Sequence, residues 1–302
     1  MPNDSALEQA GHAGLRLHEF DAYADLPAQL ERTMLKLVGT NGSDAALAAA
    51  YHLGGGGQRV RGRLALSAGL ALGLLNTDAL CIAATAELLH NASLVHDDLQ
   101  DGDTLRHGQP AVWVKFGANV AVCTGDLLLS AAYAGLCGVT KLHKLPALLA
   151  LLHERVSSAI AGQCADLGNA TGAVGDLAAY KRIALAKSGA LLSLPLELAL
   201  LASGRGVWAA HARDAAEAFS VGYQVVDDLA DTERDSQSGA LNIFCVLQST
   251  GSRAGACSTA RQFGLEHLDR AIALASELPC ESGALLIDLS LRLRLLLLVK
   301  ND

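Results

Sequence analysis

Three aspartates, Asp97, Asp98 and Asp101, close the stretch LVHDDLQD, and three more, Asp227, Asp228 and Asp231, close VGYQVVDDLAD. On a helix the first and last of each set stand one turn apart on one face, with the middle one on the neighbouring stripe. Two carboxylates ~6 Å apart repel by about 3 kcal/mol at an effective dielectric of ~20. A solvated helix end tolerates one such cluster; the repeat of the whole device points instead to cation sites. Hard carboxylate oxygens with no Cys/His cluster beside them select Mg²⁺ or Mn²⁺. Mg²⁺ held by few carboxylates shares its sphere with water and substrate phosphates.

Other acidic-site readings fail on residue type. In DDLQDGDTLRHG, Gly102 stands at the sixth position of a calcium loop, but Leu99 and Gly108 occupy the third and twelfth, where oxygen ligands are needed. A di-iron bundle needs inward Glu-x-x-His pairs, and none is present. A metal-held phosphate also needs direct cationic donors. Arg106 follows the first cluster, and GGGGQRVRGR, residues 54–63, brings Arg59, Arg61 and Arg63 beside four glycines. That run is either a flexible turn or a cradle whose backbone N–H groups approach an anion; Gln58 and Arg59 rule out a Walker loop. Lys187 lies inside apolar IALAKSGALL, so it must snorkel or face anions in a cavity.

The elements that position these residues read as helices. Ala- and Leu-rich segments recur between Gly-, Asn- and Asp-containing turns, and alternating β-branched runs are nearly absent, which predicts an all-α chain. Helices are expected over roughly 22–38, 43–53, 60–74, 78–100, 110–137, 145–170, 176–203, 208–231, 256–277 and 282–299. Segments apolar on several faces, such as ALCIAATAELLHNASLV, must be surrounded by other helices. The whole of 1–302 therefore reads as one large helical bundle with an inner layer. Asp126 in TGDLLLS reads as a helix cap, and His153 and His211 as surface or core-edge residues.

A net charge of −8 argues against nucleic acid as a partner. Seven cysteines without a CxxC pair suit a reducing compartment, and MPNDSALEQAGHAGLRLHEF lacks the pattern of a secretory signal, so a cytoplasmic location is expected. The apolar stretch from Ile183 carries Lys187, Pro195 and Glu197 and reads as a core helix pair, so no membrane span is expected.

GGGGQRVRGRL, HNASLVHDDLQDGDTLRHGQPAVW, GDLLL, GQCADL, the KSG at Lys187 and GYQVVDDLAD, in this order over about residues 50–232, resemble the trans-isoprenyl diphosphate synthase (polyprenyl synthetase) family. The resemblance implies an all-α fold around a central cavity, usually in a homodimer, that condenses isopentenyl diphosphate head-to-tail with an allylic diphosphate. It implies that Asp97, Asp101 and Asp227 ligate three Mg²⁺, with Asp98, Asp228 and Asp231 in support and Gln163 and Asp166 beside the metals, unless these last two are a surface polar pair. Arg106 and Lys187, with Asp98, would serve the allylic diphosphate, and Gln224 and Ser188 would face the developing allylic cation. Gly57, Gln58, Arg61, His90 and His107 would form the isopentenyl diphosphate site, joined by Lys300.

That second site departs from the family's wording. Gln58 stands where a lysine is usual, His107 follows Arg106 where a second arginine is usual, and no lysine follows Asp231 in SQSGALNIF. The alternative reading is therefore an enzyme that ionises an allylic diphosphate and then cyclises it, releases it or passes it to another acceptor. Counting back one, two and three turns from Asp97 along a helix gives Ser93, Leu89 and Ala86, with Ala92 beside Ser93. The family's chain-length rule, applied to a wall with no aromatic plug, implies a geranylgeranyl or longer product, unless these are core-packing residues and another helix sets the floor.

Overall fold

A computed structural model of the chain describes residues 25–39, 42–169, 177–230, 242–248 and 253–299. These residues are helical apart from turns and a strand pair of two residues each. The chain divides into two compact units. The first is built from residues up to Leu152 together with Leu198–Gly206, the second from His153–Glu197 and from Val207 onward.

In the first unit α1, Leu26–Val38, buries Leu26, Leu30, Met34 and Val38, a stripe with a residue every turn, and ends at Gly39. Ser43 caps α2, Asp44–Gly54, its Oγ accepting the Ala46 N–H at 3.3 Å. Next come α3, Val60–Ala71, and α4, Asn76–Asp101, which is buried on nearly every side and is the centre of this unit. A glycine on α3 allows that burial. A Cβ on Gly62 of α3 would stand 2.6 Å from Leu30 Cδ2 and 2.9 Å from Glu87 Cγ. The Gly62 N–H donates to Glu87 Oε1 at 2.7 Å, which satisfies the buried carboxylate.

Gly102, left-handed at φ 72°, ends α4 and turns the chain into a hairpin of β1, Leu105–Arg106, and β2, Gln109–Pro110. Its two turn residues, His107 at φ 49° and Gly108 at φ 73°, both have the positive φ that a tight type I′ connection requires. The expected single helix over 110–137 is two, α5, Val112–Phe116, and α6, Ala118–Leu136. Gly117, with a positive φ of 93° that glycine adopts readily, separates them. Asp126 is consequently an exposed residue inside α6, 3.7 Å from His96 Nε2, and not a cap. By length and apolar composition α6 is a candidate membrane span; here it packs against α4 and α2. The His96 ring fills the space over Gly125, where a Cβ would stand 2.1 Å from Nε2.

Two helices run through the boundary between units: α7, Leu145–Asn169, and, after α8, Leu177–Ala184, and a π-helical turn, Leu185–Gly189, α9, Ala190–Ala202. The expected helix 176–203 is thus interrupted at the Lys-Ser-Gly sequence, and such wide turns recur at functional sites. α10, Ala209–Ala230, packs tightly on α12, Arg253–Ser276, because Gly222 and Gly264 let Leu268 and Val225 come close. The short α11, Ile243–Gln248, contributes Ile243 to a core with Tyr180, Val225 and Ala260, and α13, Ala284–Val299, covers α12.

Candidate active site

At the end of α4 the burial expected of a cation site is present. Asp97 and Asp98 are 3% and 0% exposed, whereas Asp101, in the last turn, is open to solvent. Asp98 is tied to the hairpin: Arg106 Nε donates to its Oδ1 at 2.9 Å, and Nη2 donates to the same oxygen. Asp103 Oδ2 also lies 3.6 Å from Arg106 Nη2. Burial pushes the Asp98 carboxyl above its ordinary range and the Arg106 guanidinium pulls it back. Asp98 Oδ2 is buried and accepts no hydrogen bond among the described residues. An oxygen of that kind beside Asp97 fits a hard divalent cation.

The glycine run and the hairpin meet on the same unit. A Cβ on Gly57 would stand 3.7 Å from His107 Nε2 and 3.8 Å from Arg59 Nη1, so the backbone there faces two basic groups. Arg59 itself is committed to packing. Left-handed at φ 49°, it donates to Glu31 Oε1 and Oε2 at 2.7 and 3.2 Å and to the Leu53 carbonyl at 2.6 Å. Behind them lie two buried histidines. Burial, reinforced by Arg106, Arg59 and His107, pushes His52 down to about 3. Burial with Arg61 and Arg106 drives His90 well below its ordinary value. Burial, with the cations around them, keeps both rings neutral, and the buried Nδ1 of His90 has no hydrogen-bond partner among the described residues. Arg61 is buried as well, and Gln58 is half-buried. These basic groups, brought together on one unit, have the chemistry to hold an anion.

On the second unit Asp227 and Asp228 are 4% and 2% exposed at the end of α10. Asp228 Oδ1 accepts Gln224 Nε2 at 2.6 Å and Oδ2 accepts the Ile243 N–H at 2.7 Å. Asn242 Nδ2 donates to the Asp228 carbonyl at 2.8 Å. Asp228 thus starts α11, a role the polar run 232–239 conceals in the sequence. Lys187 and Ser188 lie in the π-helical turn, with Ser188 buried, and Gln163 is half-buried on α7. Asp231, Lys300 and the side chains of Lys187 and Asp166 lie outside the described residues. Among the described residues no group of three or more His, Cys, Asp or Glu side chains could by itself hold a metal ion.

On the expected wall Ala86, Leu89 and Ala92 are buried in α4, and Ser93 donates to the His90 carbonyl at 2.8 Å. Sequence reasoning missed the hairpin, whose signal is the two-residue His-Gly turn, and the Glu31 clamp, whose partners stand 28 residues apart.

Residues 45–240 match the polyprenyl synthetase family. A chloroplastic geranylgeranyl pyrophosphate synthase of Capsicum annuum is 34% identical over 195 residues, which cover 62% of this chain and 53% of that protein. A short chain isoprenyl diphosphate synthase of Methanothermobacter thermautotrophicus is 30% identical over 197 residues, 65% of this chain and 61% of the relative. The chain thus spans between about half and two thirds of the curated relatives it matches. Among solved structures, a geranylgeranyl pyrophosphate synthetase from Geoglobus acetivorans has the same fold, with a TM-score of 0.80 at 23% identity, covering 89% of this chain and 98% of the other. On the strength of a motif-bearing match over most of its length, the chain belongs to the polyprenyl synthetase family.

Proposed function

We propose that the protein is a prenyltransferase that joins isopentenyl diphosphate to an allylic diphosphate, releasing diphosphate and forming a trans-polyprenyl diphosphate. The observation that carries this reading is the first unit's pairing of an acidic helix end with a group of basic side chains, joined through one residue, Arg106. Arg106 borders both halves and would hold the allylic diphosphate, oriented by Asp98. Arg61 and His107 would bind the diphosphate of isopentenyl diphosphate, while Gly57 lets it approach the backbone and neutral His90 offers a further hydrogen bond. Lys187 would add a second cation at the allylic diphosphate, and Gln224 and Ser188 would turn their oxygens toward the allylic carbon.

The aspartates of each unit, Asp97 and Asp101 on the first and Asp227, Asp228, Asp231 and Asp166 on the second, have the chemistry to hold Mg²⁺. The metal would neutralise charge on the departing diphosphate. The apolar walls would exclude water from the reacting carbon. A polyprenyl synthase of the same fold from Caulobacter crescentus has been crystallised with calcium and isoprenyl diphosphate. The small residues Ala92 and Ser93 on α4 favour a product beyond farnesyl. The reading also carries a homodimer and a cytoplasmic location.

The test is purified protein with Mg²⁺ and each of dimethylallyl, geranyl and farnesyl diphosphate, with and without isopentenyl diphosphate, products identified by mass. Elongated diphosphates formed only when isopentenyl diphosphate is present are the expected result. Consumption of the allylic substrate alone, to an alcohol or hydrocarbon, would replace elongation by ionisation with another fate, and would make Gln58 and His107 marks of a changed second site.

A further inference from the structure

Arg106 and His107, assigned above to two different diphosphates, are neighbours on one small hairpin of the first unit, and two aromatic side chains with no part in the proposed reaction hold that hairpin. Two strands of two residues each are marginal by themselves, so the hairpin takes its place from its anchors. The ladder pairs Leu105 with Pro110 and Arg106 with Gln109, and the Ala111 N–H donates to the Thr104 carbonyl at 2.9 Å. Hydrogen-bonded and open pairs alternate along an antiparallel ladder, which makes Leu105–Pro110 an open pair. The N–H that proline lacks is not needed there, and its carbonyl points away from β1. That outward carbonyl is a handle: the Tyr51 hydroxyl, on α2, donates to it at 2.9 Å.

The Tyr51 ring is itself held. Lys115 Nζ stands 3.5 Å from its centroid, and the Phe116 ring packs edge-on with centroids 5.5 Å apart at 62°. Both residues belong to α5, which follows β2, so the phenol is clasped by the strand and by the helix after it. At the base of the hairpin Trp113 Nε1 donates to the Asp103 carbonyl at 2.7 Å, and the Asp103 side chain lies beside Arg106. At the tip, His107 Nε2 faces the backbone of Gly57. Next to Tyr51 on α2, His52 lies among Arg106, Arg59 and His107, so this end of α2 adjoins the same basic groups. Asp98 fixes the guanidinium of Arg106, whereas Tyr51 and Trp113 fix the backbone that carries both Arg106 and His107.

We propose that Tyr51 is a positioning residue for both substrates: its hydroxyl seats the hairpin, with Trp113 fixing the base, so that Arg106 and His107 meet their two diphosphates in register. The inference rests on the substrates proposed above. Loss of this anchor weakens both substrates at once, whereas Asp98 acts on the allylic diphosphate through Arg106 alone and the Glu31 clamp acts on the glycine run.

The experiment compares the wild-type protein with Tyr51→Phe and Trp113→Phe, varying geranyl diphosphate and isopentenyl diphosphate in turn at saturating Mg²⁺, beside urea unfolding of each protein. Tyr51→Phe keeps the ring and its contacts with α5 and deletes one exposed hydrogen bond, so the urea midpoint should barely move. Both KM values should rise about 3- to 10-fold, the weight of one neutral hydrogen bond, with kcat held within about 2-fold because the carboxylates proposed to hold metal are untouched. Unchanged KM values in the folded variant, with or without a lowered midpoint, or a rise in one KM alone, would overturn the shared anchor. Should Tyr51→Phe not fold, Trp113→Phe, which deletes the indole N–H that holds Asp103, is read in the same way: paired rises support the proposal and unchanged values overturn it. Wild-type protein that elongates no allylic starter breaks the reaction and the positioning role with it, a failure seen before any substitution is made.

Discussion

The two acidic helix ends differ in what their middle aspartate holds. At the end of α4, Asp98 grips the side chain of Arg106, a group proposed to bind substrate. At the end of α10, Asp228 grips backbone: Ile243 N–H through one oxygen, with Gln224 on the other. One motif spends its second carboxylate on orienting a ligand-binding cation, and the other spends it on starting a helix. Similar wording in the sequence therefore conceals two kinds of dependence, one on an arginine side chain and one on folding of the segment that follows.

The largest effect should come from the first aspartate of each motif, where the comparison predicts no difference. Asp97→Asn and Asp227→Asn should each lower kcat by on the order of 10²–10³-fold or more, as loss of a transition-state charge partner does. A large loss at one and little at the other, in steady-state assays at saturating Mg²⁺, would end the idea of two equivalent cation sites.

The middle aspartates should then separate. Asp98→Asn replaces the nearest charge partner of Arg106 by a neutral amide while Asp103 still holds the guanidinium, so it should cost about 1–3 kcal/mol and raise KM for the allylic substrate. Adding Arg106→Met should recover much of that stability without recovering KM. Asp228→Asn should cost about 1–3 kcal/mol through poorer hydrogen bonds to Ile243 and Gln224. Urea unfolding of the four proteins, beside their KM values, gives the contrast; equal KM shifts for Asp98→Asn and Asp228→Asn would erase it.

Acid should strain the first unit through its buried histidines. His52 is held at about 3 against an ordinary 6.5, and His90 is lowered too. Below pH ~6.5 the unfolded chain takes up protons that the folded chain refuses, so stability falls from there toward pH ~3, by at most on the order of 4–5 kcal/mol for His52. Asp98, with its raised carboxyl, works in the opposite sense and loses stability as pH rises through its titration. Two histidines against one carboxyl leave a net rise in stability with pH. His52→Gln should flatten the dependence of the urea midpoint on pH between 4 and 6.5, and an unchanged slope would show that the ring is not held neutral.

The smallest expected change is at the Arg59 clamp. Glu31 is 41% exposed, so Glu31→Gln should cost only about 1 kcal/mol. Its sharper reading is kinetic. If the clamp fixes the turn that presents Gly57 and Arg61, KM for isopentenyl diphosphate rises while KM for the allylic substrate stays put.

The helical bundle and the residues of the acidic ends are legible in the sequence because both depend on short spacings. Apolar repeats every turn mark α1, and one-turn aspartate pairs mark the ends of α4 and α10. Features depending on distant partners are not legible. Nothing near Arg59 announces Glu31, nothing near Asp228 announces Ile243 beyond a polar loop, and Tyr51 and Pro110 are 59 residues apart. The break at Gly117 is hidden because both flanking segments have helical composition, and only the backbone reveals the positive-φ glycine between them.

Gly125 on α6 has no chemistry of its own, yet it seats a side chain of α4. The His96 ring seats over it like a key in a slot, and Asp97 is the next residue, about 100° further round α4. A methyl group at position 125 would force the ring out of its seat, so the packing of the residue next to Asp97 is written on a different helix.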